Sequence, residues 1–230
     1  MKFKKQLIET LKLNKKLLKL GLQINSFGNA SIRHNNLCFI KPSGVNLELT
    51  KFSDISVVDI KSGKILSGKK PSVDLNIHLT VYKNFKHINS ITHTHSLYAT
   101  SWAQSGRPIP CYGTTHADYY PNEIPITDLV NKKDLKKNYE TEIGNTILKK
   151  LKKIKVKAAN IPGILVVNHG VVAWGKTGKT AIDNAIAIEF IAQLAFNCEL
   201  INRSIKKLPN DLHKKHYDRK HGKNSYYGQE

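Results

Sequence analysis

ITHTHSLYAT runs from Ile91 to Thr100. In a strand, residues i and i+2 share a face, so His93 and His95 project together and Thr94 points away. The SLYATSWAQSG that follows reads as a helix ended by Gly106. An apolar strand that feeds straight into a helix is a building unit of a layered α/β domain. Two neutral imidazoles on one face can hold one divalent ion, and zinc favours nitrogen ligands. The plainer alternative is a pair of ordinary histidines at a strand end. A third ligand would decide between them. His169 follows the apolar run ILVVN and precedes Gly170, where a loop leaves a buried strand, a common place for site residues. Three histidines with an open position is the pattern of a catalytic metal.

The rest of the chain fits the same architecture. Residues 5–20 space Leu7, Leu11 and Leu18 as a helix, with Gly21 as its stop. LCFIK (37–41) is a strand, and PSG turns the chain. DISVVDIKSGKIL gives two strands joined at Ser62-Gly63. PSVDLNIHLTVYKNF begins with a Ser/Asp cap and continues as a helix to about Phe85. On this local reading Asp74 caps that helix, with His78 one turn further on the same side. Residues 134–153 form a helix, GILVVNHG and VVAWG are strands, and 177–203 is a long helix. The polar tail is crowded with His and Tyr and reads as a C-terminal strand. One hairpin among irregularly alternating elements predicts a mixed sheet with helices on both faces. The whole chain, 1–230, reads as one domain.

Composition narrows the function. The 230 residues carry 37 Lys and Arg against 17 Asp and Glu, a formal net charge of +20. Mean hydropathy is −0.37. The excess lysine is spread end to end, as in NKKDLKKN and KKLKKIKVK, which fits solvated faces. A nucleic-acid binder would cluster basic residues with interleaved aromatics, so no nucleic-acid partner is expected. No apolar stretch approaches the ~20 residues that span a bilayer, and no membrane association is expected. The lysine-broken N-terminus lacks a signal-peptide core. The three scattered cysteines, Cys38, Cys111 and Cys198, fit a reducing, cytoplasmic compartment. AWGKTGKT (173–180) imitates a phosphate-binding loop, but Ala173 stands where that motif needs glycine.

Several stretches, in order, resemble one family: NSFGNAS (25–31), IKPSGV (40–45), PSVD (71–74), HTHS (93–96), GTTHADYY (113–120), PGILVVNHG (162–170) and AWGK (173–176). Together they resemble the class II aldolase and sugar-phosphate epimerase superfamily. The tail KHYDRKHGKNSYYGQ (215–229) narrows the resemblance to the branch that epimerises C4 of L-ribulose 5-phosphate.

The resemblance implies a three-layer α/β/α sandwich around a mixed, largely antiparallel sheet. It implies Zn2+ held by His93, His95 and His169 with Asp74 beside the metal, although imidazole also accepts Mn2+ or Co2+. Related aldolases carry Glu at position 74, so Asp favours the epimerases. Asn29, Lys41, Ser43, Gly44 and Ser72 match the family's phosphate pocket. Val73 departs from it: a second serine is usual there, and only a backbone N–H could serve. Asp118 and Tyr227 match two proton carriers on opposite faces of the substrate, and His216 would support the tyrosine. Thr114 and Glu140 match further pocket positions. The substrate is a phosphorylated ketopentose. The assembly implied is a homotetramer whose tail, about 208–230, completes a site between subunits. A class II aldolase is the alternative within the superfamily. A basic nucleic-acid-binding protein on an inactive enzyme fold is the alternative outside it.

Overall fold

The computed structural model describes residues 2–136, 138–223 and 225–226. Helix α1 (Lys4–Lys19) is followed by strands β1 (Asn29–His34), β2 (Leu37–Ile40), β3 (Ser56–Asp59) and β4 (Ile65–Ser67). Then come α2 (Leu75–Asn84), β5 (Ser90–Thr94), α3 (Leu97–Gln104), α4 (Thr114–Ala117) and α5 (Tyr139–Lys153). The chain closes with β6 (Gly163–Val166), β7 (Gly170–Gly175), α6 (Gly178–Ile201) and α7 (Asn210–His221). One seven-stranded sheet has the order β4-β3-β2-β1-β5-β7-β6. Every paired strand is antiparallel. The only parallel pairing among the described residues is an isolated bridge, Ile126 to Leu165.

The sheet is two-faced because β1 is. Ala30 and Ile32 are buried on one face, where α1 packs; its Asn14 bonds both backbone groups of Ala30. Asn29, Ser31 and Arg33 turn to the other face and meet residues along α2. Asn29 Nδ2 donates to Asp74, Ser31 hydrogen-bonds His78 and Tyr82, and Arg33 donates to the Tyr82 carbonyl. Two strand residues span about 6.6 Å and four helix residues about 6 Å, so the rows 29-31-33 and 74-78-82 stay in register. This strand was not expected from the sequence. Its alternation places polar side chains on a buried face, and α2 with the segments flanking it satisfies them.

Helix α5 begins at Tyr139, later than the expected 134. Asn138 is the reason: its side chain accepts from Thr141 N and sets the N-terminus. Helix α6 is long and apolar enough on average to cross a membrane, but Asp183 and Glu189 interrupt it. Its Ile182, Ala185, Ile188, Ile191, Ala192 and Ala195 pack into the core. Its Glu189 carboxylate accepts from the N–H groups of Tyr98 and Ala99 at the start of α3. A mid-helix carboxylate thus serves free donors at another helix's N-terminus.

From Asn210 to His221 the tail is a helix, α7, not a strand, and it folds back on its own chain. His213 donates to the Tyr120 carbonyl and the Tyr217 hydroxyl to the Asn160 carbonyl. Leu208 N donates to Cys111 O. These ties are polar, so no apolar periodicity announced them.

Candidate metal centre and proton site

His93 is carried on β5, paired with Asn29 of β1 and Val172 of β7. Opposed residues share a face, so His93 and Asn29 both look toward Asp74. His95 lies just past the strand end, on the same side as His93. His169 comes from the turn between β6 and β7, where Asn168 takes a left-handed φ of 57°. Gly170 lies beside the His93 and His95 rings, and a Cβ there would meet Thr94 O at 2.6 Å, so β7 can approach the end of β5 here only through glycine. Gly28 has φ 93°, and a Cβ would lie 2.7 Å from the His93 carbonyl, so β1 can enter the sheet here only through glycine.

The three Nε2 atoms converge. His95 and His169 each lie 3.0 Å from His93 Nε2. His93 Nδ1–H donates to the Val171 carbonyl at 2.9 Å. That bond fixes the tautomer and leaves Nε2 with a lone pair directed at its neighbours. Lone pairs at such separations repel unless a cation stands among them. Burial lowers the pKa of all three rings, which keeps them neutral as ligands must be. The group could therefore hold a metal ion.

Asp74 occupies the cap position of α2 but makes no capping bond. Its Oδ2 instead accepts from Asn29 at 2.8 Å and lies 4.0 Å from His93 Nε2. The local expectation of a helix cap is thereby corrected, because Asn29 draws the carboxylate toward the histidines. Burial raises its pKa, but the neighbouring His93, His78 and His169 and the Asn29 bond outweigh that and leave it lowered. Behind it His78 is fully buried, with Nδ1 on Ser31 and burial pushing its pKa down to about 4.

The expected phosphate residues gather beside Asp74. Asn29 Nδ2 also donates to Ser72 Oγ at 3.0 Å, while its Oδ1 is buried without a partner. Ser72 N donates to Lys41 O and Ser43 N to Lys70 O, tying the 41–44 segment to the 70–72 segment. Lys41 is buried, its Nζ on the Ser26 carbonyl, and burial lowers its pKa. Gly44 turns with φ 63°, and the Val73 side chain stands in solvent at 62% exposure. Glu140 lies in the first turn of α5. Its neighbour Tyr139, not foreseen, lies nearly parallel to His169 with ring centroids 6.5 Å apart.

A second cluster forms elsewhere. Thr114 opens α4 and Asp118 closes it. The Asp118 carboxylate meets His216 Nδ1 at 3.2 Å, Arg219 Nε at 2.9 Å and Arg219 Nη2 at 2.7 Å. His216 thus meets Asp118, while the expectation that it supports Tyr227 concerns a residue outside the described ones; three residues apart on α7, His216 and Arg219 reach one acceptor. Tyr227 lies outside the described residues. Among the described residues no hydrogen bond joins this cluster to the histidines. Arg219 was missed by sequence reading, and its i,i+3 spacing from His216 was the available signal.

Comparison with known proteins follows this geometry. The Class II Aldolase and Adducin N-terminal domain matches residues 8–196. L-ribulose-5-phosphate 4-epimerase UlaF of Salmonella paratyphi B is 39% identical over 231 residues, 99% of each chain. The protein of the same name from Salmonella choleraesuis is 39% identical over 230 residues, again 99% of each chain. Among solved structures, an L-fuculose 1-phosphate aldolase superimposes with a TM-score of 0.81 at 24% identity, covering 95% of this chain and 97% of that one. At that identity the likeness speaks to the fold.

Proposed function

The chain belongs to the class II aldolase and adducin N-terminal domain family, and we propose that it epimerises C4 of L-ribulose 5-phosphate to give D-xylulose 5-phosphate. The observation that carries this reading is the end-to-end match to the Salmonella 4-epimerases, which includes the tail helix around Asp118.

The hydrogen on C4 is not acidic, so simple deprotonation does not invert that centre. Breaking the C3–C4 bond does. Its electron pair passes to C3, giving the enediolate of dihydroxyacetone, while C4 becomes the aldehyde of glycolaldehyde phosphate. The aldehyde turns and the bond re-forms on its other face. His93, His95 and His169 would hold a divalent ion, Zn2+ in our reading, which when bound supplies Lewis-acid stabilisation of the developing charge. Asp74 adds negative charge beside the three histidines and helps retain a cation there. The 41–44 and 70–73 segments, with Lys41, offer donors and positive charge to the substrate phosphate; Asn29 Nδ2 holds the Ser72 hydroxyl in place, and Thr114 and Glu140 complete the pocket. Asp118 takes the C4 hydroxyl proton, and Tyr227 returns one on the opposite face. In this reading the chain acts as one cytoplasmic domain, in a homotetramer that brings one subunit's histidines to another's Asp118.

The aldolase-like fold favours one competitor, an aldolase that releases its cleavage products. Incubating zinc-loaded protein with L-ribulose 5-phosphate and following products by NMR separates the two. D-xylulose 5-phosphate is expected. Accumulation of free dihydroxyacetone and glycolaldehyde phosphate would replace epimerase with aldolase.

A further inference from the structure

Asp118 stands at the C-terminal end of a four-residue helix, which by itself cannot fix the direction of a carboxylate. Helix α7 supplies what α4 lacks. Arg219 forks onto both oxygens, at 2.9 and 2.7 Å. A guanidinium fork matches a carboxylate in plane and spacing, which a point charge cannot do. His221 Nε2–H donates to the Asp118 carbonyl at 2.9 Å. One helix therefore holds both the side chain and the backbone of residue 118.

The other ionisable groups nearby do different work. His116, on Asp118's own helix, directs Nε2–H to the Asn122 carbonyl. Lys220 lies over the Tyr119 ring at 4.2 Å. Tyr217 stacks on His221 with centroids 4.4 Å apart. His216 shares Oδ1 with Arg219, so Arg219 alone contacts Oδ2 among the hydrogen bonds described.

We propose that Arg219 is a positioning residue for the reaction: it aims the Asp118 carboxylate at the C4 hydroxyl of the substrate. The inference rests on the reading of Asp118 as a proton carrier. As the C3–C4 pair passes to C3, the C4 hydroxyl proton moves to an Asp118 oxygen. The re-formed C4 alkoxide takes its proton from the group on the other face, and exchange with solvent resets both groups. Burial raises the Asp118 pKa, and the Arg219 and His216 bonds more than reverse this, leaving it lowered. Arg219 thus also keeps the carboxylate ready to accept.

The test compares Arg219→Gln, Arg219→Lys and Asp118→Asn in the zinc-loaded full chain, with zinc content and circular dichroism as controls. Arg219→Gln is expected to lower kcat about 10²-fold with KM little changed, in line with a misaimed proton carrier. Its acid limb in the kcat/KM profile moves to higher pH, because only His216 then opposes burial. Arg219→Lys returns the limb toward wild type but leaves kcat reduced, since one ammonium cannot hold two oxygens. If Arg219→Gln fails to fold, Arg219→Lys carries the test, and wild-type kcat there overturns the proposal. An inactive Asp118→Asn beside a folded Arg219→Gln with wild-type rate and limb sinks this inference alone. A fully active Asp118→Asn sinks the reading beneath it.

Discussion

The two clusters of this chain are built in opposite ways. The histidines stand at the centre of the sheet, on β5 and at the mouth of β7, and burial holds them neutral. Asp118 stands on a short helix, and the Arg219 guanidinium on a surface helix holds it charged, with His216 bonded beside it. A lone-pair donor must not be protonated, so low dielectric serves it. A proton acceptor must be ionised, so paired charge serves it. Register of antiparallel strands places the first cluster; side-chain hydrogen bonds place the second. The first should therefore tolerate change around it poorly, and the second should fail by degrees.

The largest effect is expected from His95→Asn. Metal analysis after dialysis should find the bound ion lost, with activity down by at least about 10³-fold, since the Lewis acid goes with it. A metal-replete, active variant would break the contrast at its first member. Asp118→Asn should retain the ion and lower kcat by roughly 10²- to 10⁴-fold, the usual scale of a general base. Loss of metal in that variant would mean that the clusters are not separate. Asp74→Asn should weaken metal retention by about 10- to 100-fold, as for an outer-shell carboxylate, read by competition with a chelator.

Ser31→Ala probes the support behind the metal side. It removes the partner of both His78 Nδ1 and the Tyr82 hydroxyl, all buried. Chemical denaturation should show a loss of about 1–3 kcal/mol, the cost of stranded polar groups. An unchanged midpoint would show that the rows between β1 and α2 contribute no stability.

The smallest effect concerns acid stability. Asp118 has a depressed folded pKa, so its contribution is present above the unfolded value near 3.9 and is lost as pH falls through the folded value. Arg219→Gln should flatten the fall in stability below about pH 4. An equal slope in both proteins would show that the Arg219 contact does not stabilise the ionised form.

The same contrast explains what was legible in the sequence. SITHTH declared itself through period-2 alternation in an apolar run, and His169 through its place after ILVV. The residues alone predicted a mixed sheet with helices on both faces, and its largely antiparallel character followed from the family resemblance. β1 was not, because NASIRH buries Asn29, Ser31 and half-buried Arg33 against partners some 45 residues away in sequence. The tail helix was not, because NDLHKKHYDRKH has no apolar stripe and is held by His213, His216, Tyr217 and Arg219. Asp74 was misjudged locally because a cap is a one-helix judgement, and Asn29, which redirects its carboxylate, lies on another element. Burial of apolar surface leaves a period in the sequence. A polar network leaves one only when both partners are known.

Bond cleavage at C3–C4, with proton transfer confined to oxygen, is the central claim. The direct test is conversion of L-ribulose 5-phosphate in deuterium oxide, with the D-xylulose 5-phosphate analysed by NMR. The account predicts that C4 keeps its protium, because the hydrogen on C4 never leaves carbon. Deuterium at C4 of the product would mean inversion by deprotonation and would contradict it.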